Sequence, residues 1–136
     1  MSTSSDTTIS QIKTIQTENA PQAIGPYSQG KVFGNLLFTS GQIALDKDGN
    51  DFTQSSIEEQ THLAIQNLRE VLRAGGSDLQ HVIKTTIFLQ DMDDFQKVNS
   101  IYSTYFTEQK PARSTVAVRT LPKHARIEIE AIAFVP

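Results

Sequence analysis

Two charged residues that could do chemistry stand near the C-terminal end of the sequence. Arg113 lies in PARSTVAVRT, residues 111–120, and Glu128 lies in RIEIEAIAFV, residues 126–135. Both stretches alternate apolar and polar residues, as a strand with one buried face does. A guanidinium can hold a carboxylate through two parallel hydrogen bonds, and a carboxylate can orient or deprotonate water. The two residues are therefore either a structural ion pair or the two ends of a small site for an acidic substrate.

The face that carries Glu128 favours the second interpretation. A side-chain period of two predicts Arg126, Glu128 and Glu130 on one face of the last strand. If this face were simply solvated, a cross-strand Arg–Glu pair would stabilise the protein by under about 1 kcal/mol. The same face continues into Ile132 and Phe134, however, so the charges border an apolar patch. Charged groups at the edge of an apolar patch suit a small cleft.

Other constellations that carry chemistry are missing from the sequence. His62, His81 and His124 are far apart and lack the spacing of metal ligands, and there is no cysteine. The glycines of GQIALDKDGN do not form a phosphate-binding pattern. The acidic cluster DMDD, residues 91–94, lies at a predicted helix start, where carboxylates cap the helix and complement its dipole. No metal site or cofactor is expected.

Composition indicates an ordinary globular protein. The chain has 136 residues, of which 38% are hydrophobic and 20% charged, and its net charge is −3. We expect a polar disordered tail over residues 1–11 and a single domain over residues 12–136. The negative charge gives no reason to expect nucleic acid or an anionic membrane surface as a partner. There is no apolar run long enough for a membrane span and no targeting peptide, so we expect a cytoplasmic protein.

The elements that position these residues follow the order β-β-β-α-β-α-β-β. A capping box at Ser56 and Glu59 begins the first helix, and Gly75-Gly76 ends it. The remaining predictions are strands at 12–17, 31–34, 35–45, 82–91, 111–120 and 126–135, and a second helix that starts at residue 93 or 94. Strands 31–34 and 35–45 would be joined by a turn at Gly34-Asn35. The strand at 82–91 is rich in β-branched residues and nearly continuous in apolar character, as if covered on both faces.

This order predicts an α+β fold in which one mixed sheet carries both helices on one face. Tyr27, Ile132 and Phe134 indicate that apolar surface remains on the other face. Oligomerisation would cover that surface. The alternative is a modestly apolar exposed face, which many monomers have.

Five blocks of the sequence, in order, resemble one family. TENAPQAIGPYSQG, TSGQI, VIKTTIFLQDMDDFQKVN, PARSTVAV and RIEIEAIA are similar to the conserved blocks of the Rid imine deaminases, also called the YjgF family. The resemblance covers about residues 17 to 135. It implies a chorismate-mutase-like fold assembled as a homotrimer, with clefts between subunits to which both neighbours contribute. It also implies hydrolysis of 2-imino or enamine acids, such as 2-aminoacrylate and 2-iminobutanoate, to 2-oxo acids and ammonia.

The resemblance also implies roles for individual residues. The arginine of PARS, here Arg113, would hold the substrate carboxylate, and the first glutamate of IEIEA, here Glu128, would lie beside the attacking water. The other expected pocket residues are Tyr27, Ser40, Gly41, Asn99 and, through its backbone, Thr115. No cofactor is implied, because an imine needs only a positioned water and proton transfer.

The sequence departs from the family pattern at two places. Relatives commonly have a longer connection before PARS that ends in a hydrophobic residue, whereas this chain has the short polar EQK. If that position lines the cleft, Lys110 is expected to alter the substrate range. Thr115 stands where many bacterial relatives have cysteine, a change that a backbone contact tolerates.

Two other functions stay open at this point. Some relatives have been described as RNA-cleaving translation inhibitors. Against this stand the acidic balance and the lack of a basic patch with interleaved aromatic residues. A non-catalytic trimer that binds a small ligand is the other alternative.

Overall fold

The structure is a computed structural model, and it describes Ile9 and residues 11–136. The predicted tail, residues 1–11, lies outside the described residues apart from Ile9 and Gln11. Within the described part of the chain, no helix is long and apolar enough to cross a membrane.

Six strands form one sheet and two helices cover one of its faces, in the predicted order. The strands are β1 (Lys13–Ile15), β2 (Gly30–Phe33), β3 (Leu36–Thr39), β4 (Val82–Leu89), β5 (Ala112–Ala117) and β6 (Ile127–Phe134). The helices are α1 (Ile57–Ala74) and α2 (Phe95–Tyr105). Short 3₁₀ turns lie at Leu79–His81, Met92–Asp94 and Pro122–His124. The predicted α+β class is therefore confirmed.

The last strand lies inside the sheet. The spatial order is β1-β2-β3-β6-β4-β5, and β6 is antiparallel to both β3 and β4. β5 pairs only with β4, in parallel, and forms an edge. The sequence stretches around Arg113 and Glu128 are thus separated by β4, and the cross-strand pair considered above is wrong.

Helix α1 supplies most of the covering layer. The hydroxyl of Ser56 accepts a hydrogen bond from the backbone N–H of Glu59 at 3.1 Å, as the capping box predicts. The helical spacing of three and four residues predicts an inner stripe, and all seven of its members are buried: Ile57, Thr61, Ala64, Ile65, Leu68, Val71 and Leu72. The helix ends at Gly75, but the left-handed residue is Gly76, with φ of 88°. Gly75 is constrained by space instead, since a Cβ there would lie 2.7 Å from Cδ1 of Ile15.

Helix α2 follows the 3₁₀ turn that contains the acidic cluster. The carboxylate of Asp91 caps this turn by accepting from the N–H of Asp93 at 2.9 Å. The carboxylate of Asp94 does not cap; it binds the Arg126 guanidinium with two hydrogen bonds of 2.8 and 2.9 Å. Arg126 therefore precedes β6 and pairs with the start of α2, instead of sharing the face of Glu128 as predicted.

The two faces of the sheet differ in cover. Along β6 the odd-numbered residues from Ile127 to Ala133 are buried against the helices, and the even-numbered residues from Glu128 to Phe134 are half-buried on the open face. The open face also carries Phe33, Leu36 and Phe38, which are 45%, 38% and 43% exposed. β4 is likewise covered fully on one face only within this chain, although its sequence predicted cover on both.

Candidate active site

Arg113 lies on the helix-covered face at the edge of the sheet. Thr85 of β4 is its neighbour in the parallel ladder, and the Thr85 hydroxyl is 2.6 Å from the Tyr102 hydroxyl of α2. The guanidinium carbon of Arg113 lies 4.9 Å from the ring centre of Tyr102 and 5.5 Å from that of Phe95. One Nη1–H donates to Oδ1 of Asn99 at 2.7 Å. Two aromatic rings and one amide thus fix the guanidinium in place.

The surroundings of Arg113 form a hollow of about 350 Å³. Asn99, Tyr102, Phe106 and Lys110 line it together with Arg113, and we call it the Arg113 hollow. Within the described residues, no carboxylate lies within ion-pair distance of Arg113. The guanidinium is therefore available to an acidic ligand.

The helical spacing of α2 predicts Phe95 and Tyr102 on its inner stripe, as core residues only. The helical period could have shown their second role, because positions 95, 99 and 102 fall on one helix face. This face carries the predicted pocket residue Asn99 between the two rings. A planar cation on an aromatic platform is the arrangement that this spacing favours.

Glu128 lies on the opposite face, where β3 is interrupted. The sequence predicts one strand over 35–45, but β3 ends at Thr39. The Thr39 hydroxyl accepts from the N–H of Ala131 at 2.9 Å, and Gln42 then rejoins β6 by pairing with Ile129. The register shifts by one residue across Ser40-Gly41, as in a β-bulge. The continuous strand predicted over 35–45 is therefore interrupted, and the interruption lies beside the Glu128 side chain.

Gly41 is in direct contact with that side chain. A Cβ at position 41 would lie 2.6 Å from Cδ and 2.8 Å from Cγ of Glu128, closer than real atoms approach. The glycine is needed for space, since its φ is not in the left-handed region. Tyr27, Gln42 and Pro122 join Gly41 and Glu128 around a hollow of about 130 Å³, which we call the Glu128 hollow.

The Glu128 carboxyl group is poised to exchange a proton. Burial raises its pKa above the ordinary value of 4.5, and the negative charge of Glu130 on the same face raises it further. Among the described residues, none donates a hydrogen bond to its oxygens. A carboxylate without a protein partner, facing a small hollow, can accept a hydrogen bond from water.

The buried side chain of Gln29 anchors the loop that carries Tyr27. The Gln29 side chain is 3% exposed and binds the backbone of Thr17 in both directions, at 2.7 and 3.0 Å, and the carbonyl of Pro21 at 2.8 Å. Ser40 adds a second tie, because its hydroxyl donates to the carbonyl of Ser28 and its N–H to the carbonyl of Gln29. The sequence analysis did not identify Gln29, because a glutamine that precedes a strand carries little signal for such a role.

The predicted site residues thus fall into two groups. Tyr27, Gly41 and Glu128 line the Glu128 hollow, with Ser40 supporting its loop. Asn99 and Arg113 line the Arg113 hollow, and Thr115 lies two residues further along β5 on the same face. The two hollows have no lining residue in common. Within one chain the sheet separates Arg113 from Glu128.

The three histidines also lie apart. Nδ1 of His62 is 2.8 Å from the Tyr105 hydroxyl on the helix surface, His81 packs on Phe134 with ring centres 4.6 Å apart, and His124 is in the turn before β6. Residues 11–136, together with Ile9, contain no cluster of acidic and histidine side chains that could hold a metal ion.

Replacing Gly41 with alanine is expected to damage the site more than the fold. The new methyl group displaces the end of the Glu128 side chain, and a shift of about 1 Å at a catalytic group can cost about 10²-fold in activity. We expect kcat/KM for imine hydrolysis, the activity that the family resemblance implies, to fall by about that factor while the melting temperature changes little. In a Glu128→Gln background the same substitution should have no further effect on activity. An equal loss in both backgrounds would contradict the contact.

Comparison with known proteins places these features in one family. Residues 17–135 match the family model described as Endoribonuclease L-PSP. A RutC family protein of Pyrococcus horikoshii is 49% identical over 88% of this chain and 95% of its own length. The mouse 2-iminobutanoate/2-iminopropanoate deaminase is 46% identical over 89% of this chain and 90% of its own.

A solved structure agrees with the fold. The crystal structure of E. coli TdcF with bound serine matches with a TM-score of 0.85 and 39% identity, covering 90% of this chain and 98% of that one. The family match spans both hollows, and the relatives include a protein named as an imine deaminase. The chain therefore belongs to the Endoribonuclease L-PSP family, the Rid or YjgF family that its sequence blocks resemble.

Proposed function

We propose that the protein hydrolyses reactive 2-imino acids and their enamine tautomers to 2-oxo acids and ammonia. The observation that carries the proposal is the Glu128 carboxyl group, which has a raised pKa and no hydrogen bond from the described residues and faces a small hollow. Arg113, fixed on its aromatic platform without a carboxylate partner, supplies the group that would bind the acid end. The mouse relative's name supports the same substrate class.

The site would be completed by a second copy of the chain. One chain holds its Arg113 and Glu128 hollows on opposite faces of the sheet, so both can contact one small molecule only if they come from different subunits. The exposed apolar side chains of the open face favour burial against another copy. A homotrimer, as the family resemblance implies, would give three equivalent clefts, each with Arg113 from one subunit and Glu128 from its neighbour.

The proposed reaction follows from these two groups. Arg113 binds the carboxylate and so fixes the position of the adjacent imine carbon. Glu128 accepts a proton from water as the water oxygen bonds to that carbon, and it returns the proton to the nitrogen. The hydroxyl proton of the resulting carbinolamine then passes through Glu128 to the nitrogen as the C=O bond forms and the C–N bond breaks, which releases ammonia and leaves the 2-oxo acid. An enamine enters the same sequence after it has tautomerised to the imine.

Trapping of the imine tests the proposal. A threonine dehydratase releases the enamine tautomer of 2-iminobutanoate. Semicarbazide captures the imine that forms from it. Adding the protein should lower the yield of the captured species and accelerate formation of 2-oxobutanoate, whereas the Arg113→Ala variant should do neither. Unchanged trapping with the wild-type protein, or full activity of Arg113→Ala, would overturn the proposal.

The family description favours RNA cleavage as a second candidate. The same preparation can be incubated with a single-stranded RNA at low salt. Cleavage that Arg113→Ala abolishes, together with unchanged imine trapping, would establish the nuclease in place of the deaminase. Binding of 2-oxo acids without turnover of either substrate would instead indicate a ligand-binding protein.

A further inference from the structure

The Arg113 hollow carries more positive charge than a single carboxylate requires. Its lining includes two cations, Lys110 and Arg113, and no acidic residue. Neither cation is within ion-pair distance of a carboxylate in the described part of the chain. This local excess stands out in a protein with a net charge of −3. A doubly charged anion would be attracted more strongly than a singly charged one.

The two cations are close in sequence but differ in how they are held. Residues 110 and 113 are at most about 10 Å apart at their Cα atoms, because three residue steps cannot span more. Pro111 between them restricts the backbone, and β5 begins at Ala112, so Arg113 is held in the ladder while Lys110 stands outside it. Arg113 is fixed by Asn99, Tyr102 and Phe95, whereas the exposed Lys110 side chain is free to adjust to the ligand.

We infer that Lys110 binds a second carboxylate, so that the site prefers 2-imino dicarboxylic acids, the imines of acidic amino acids, over monocarboxylic ones of equal length. The inference rests on the proposed function and names the substrate class of the same site. Arg113 binds the carboxylate next to the imine carbon, and the Lys110 ammonium meets the carboxylate at the far end of the side chain.

Binding of two product analogues tests the inference. 2-Oxoglutarate and 2-oxopentanoate have chains of equal length and differ in a terminal carboxylate against a methyl group. Calorimetric titration should show tighter binding of 2-oxoglutarate by about fivefold, the upper range for one solvent-exposed ion pair. Lys110→Gln should abolish this preference by weakening binding of 2-oxoglutarate about fivefold more than binding of 2-oxopentanoate. Lys13→Gln removes the same charge from an exposed position on β1, outside both hollows, and should keep the preference.

Two results would overturn the inference. One is equal binding of both 2-oxo acids to the wild-type protein, and the other is an equal loss for both in Lys110→Gln, which would mean that Lys110 acts on the shared carboxylate. The trapping assay on the same samples keeps the two proposals separable. Selective binding without turnover overturns the proposed deaminase activity but supports the Lys110 assignment. Turnover without selective binding supports the deaminase activity and overturns the Lys110 assignment.

Discussion

Glu128→Gln is expected to lower kcat for imine hydrolysis by about 10²- to 10⁴-fold, the range for loss of a general base. Glutamine preserves the shape of the side chain in the space left by Gly41, but it cannot accept a proton from water. The expected loss is therefore in kcat, with little change in KM, because the carboxylate-binding group Arg113 is untouched. Initial rates by the trapping assay measure both constants.

The dependence on pH identifies the group responsible. The wild-type rate should fall as pH drops through the pKa of Glu128, which burial holds above 4.5, and the residual rate of Glu128→Gln should lack this limb. A raised pKa also means that the folded protein binds this proton more tightly than the unfolded chain. Ionisation of Glu128 therefore lowers stability as pH rises through the folded pKa, so Glu128→Gln should be at least as stable as wild type at neutral pH.

Glu130→Gln provides the matched control. It removes the same charge from the same face of β6, two residues away, and the Glu128 carboxyl remains. Because the charge of Glu130 contributes to the raised pKa of Glu128, this variant should shift the acidic limb to lower pH and keep neutral-pH activity within a few-fold. A Glu128→Gln variant that kept more than about a tenth of wild-type kcat would remove Glu128 from the mechanism.

Mixing two inactive variants is expected to restore activity. Arg113→Ala and Glu128→Gln damage different hollows, and one chain holds these hollows on opposite faces of its sheet. When the two variants assemble together, a cleft that takes Arg113 from one subunit and Glu128 from the other is intact. In a trimer, each mixed assembly has one such cleft, and random equimolar assembly gives about a quarter of wild-type activity. Co-refolding from denaturant followed by the trapping assay measures the recovery.

The control pairs two variants with damage in the same hollow. Gly41→Ala and Glu128→Gln both affect the Glu128 hollow, so their mixtures contain no intact cleft and should remain as inactive as the parents. Absence of recovery with the first pair, in samples shown by mass spectrometry to contain mixed assemblies, would contradict a site shared between subunits.

Local patterns were enough to predict the elements of the fold. The capping box at Ser56, the apolar stripe of α1 and the alternation in β6 each depend on neighbouring residues, and the structure confirms them. The order of strands depends on pairing between distant segments, for which the sequence carries no local signal. For this reason β5 and β6 looked like neighbours, although β4 lies between them.

The same distinction applies to the candidate site. The sequence was enough to identify Arg113 and Glu128 as charged residues near apolar faces. The family resemblance suggested their roles. The bulge at Ser40-Gly41 could not be predicted from the sequence, because it arises from the hydrogen bond of the Thr39 hydroxyl and from the pairing of Gln42 with a strand far along the chain. The ion pair between Arg126 and Asp94 also joins residues that are distant in sequence, so it depends on tertiary structure in the same way.

The central position of β6 has a consequence for how the protein is made. β6 is the last of the six strands in chain order and leaves the ribosome after the other five, yet β3 and β4 both depend on it for hydrogen bonds. Until it arrives, the nascent chain presents two unpaired strand edges and a half-covered α1, surfaces that invite aggregation or chaperone binding. Folding of the sheet is therefore expected to finish only after β6 has been synthesised, and substitutions that weaken β6 should reduce soluble yield in cells more than they reduce the stability of the mature protein.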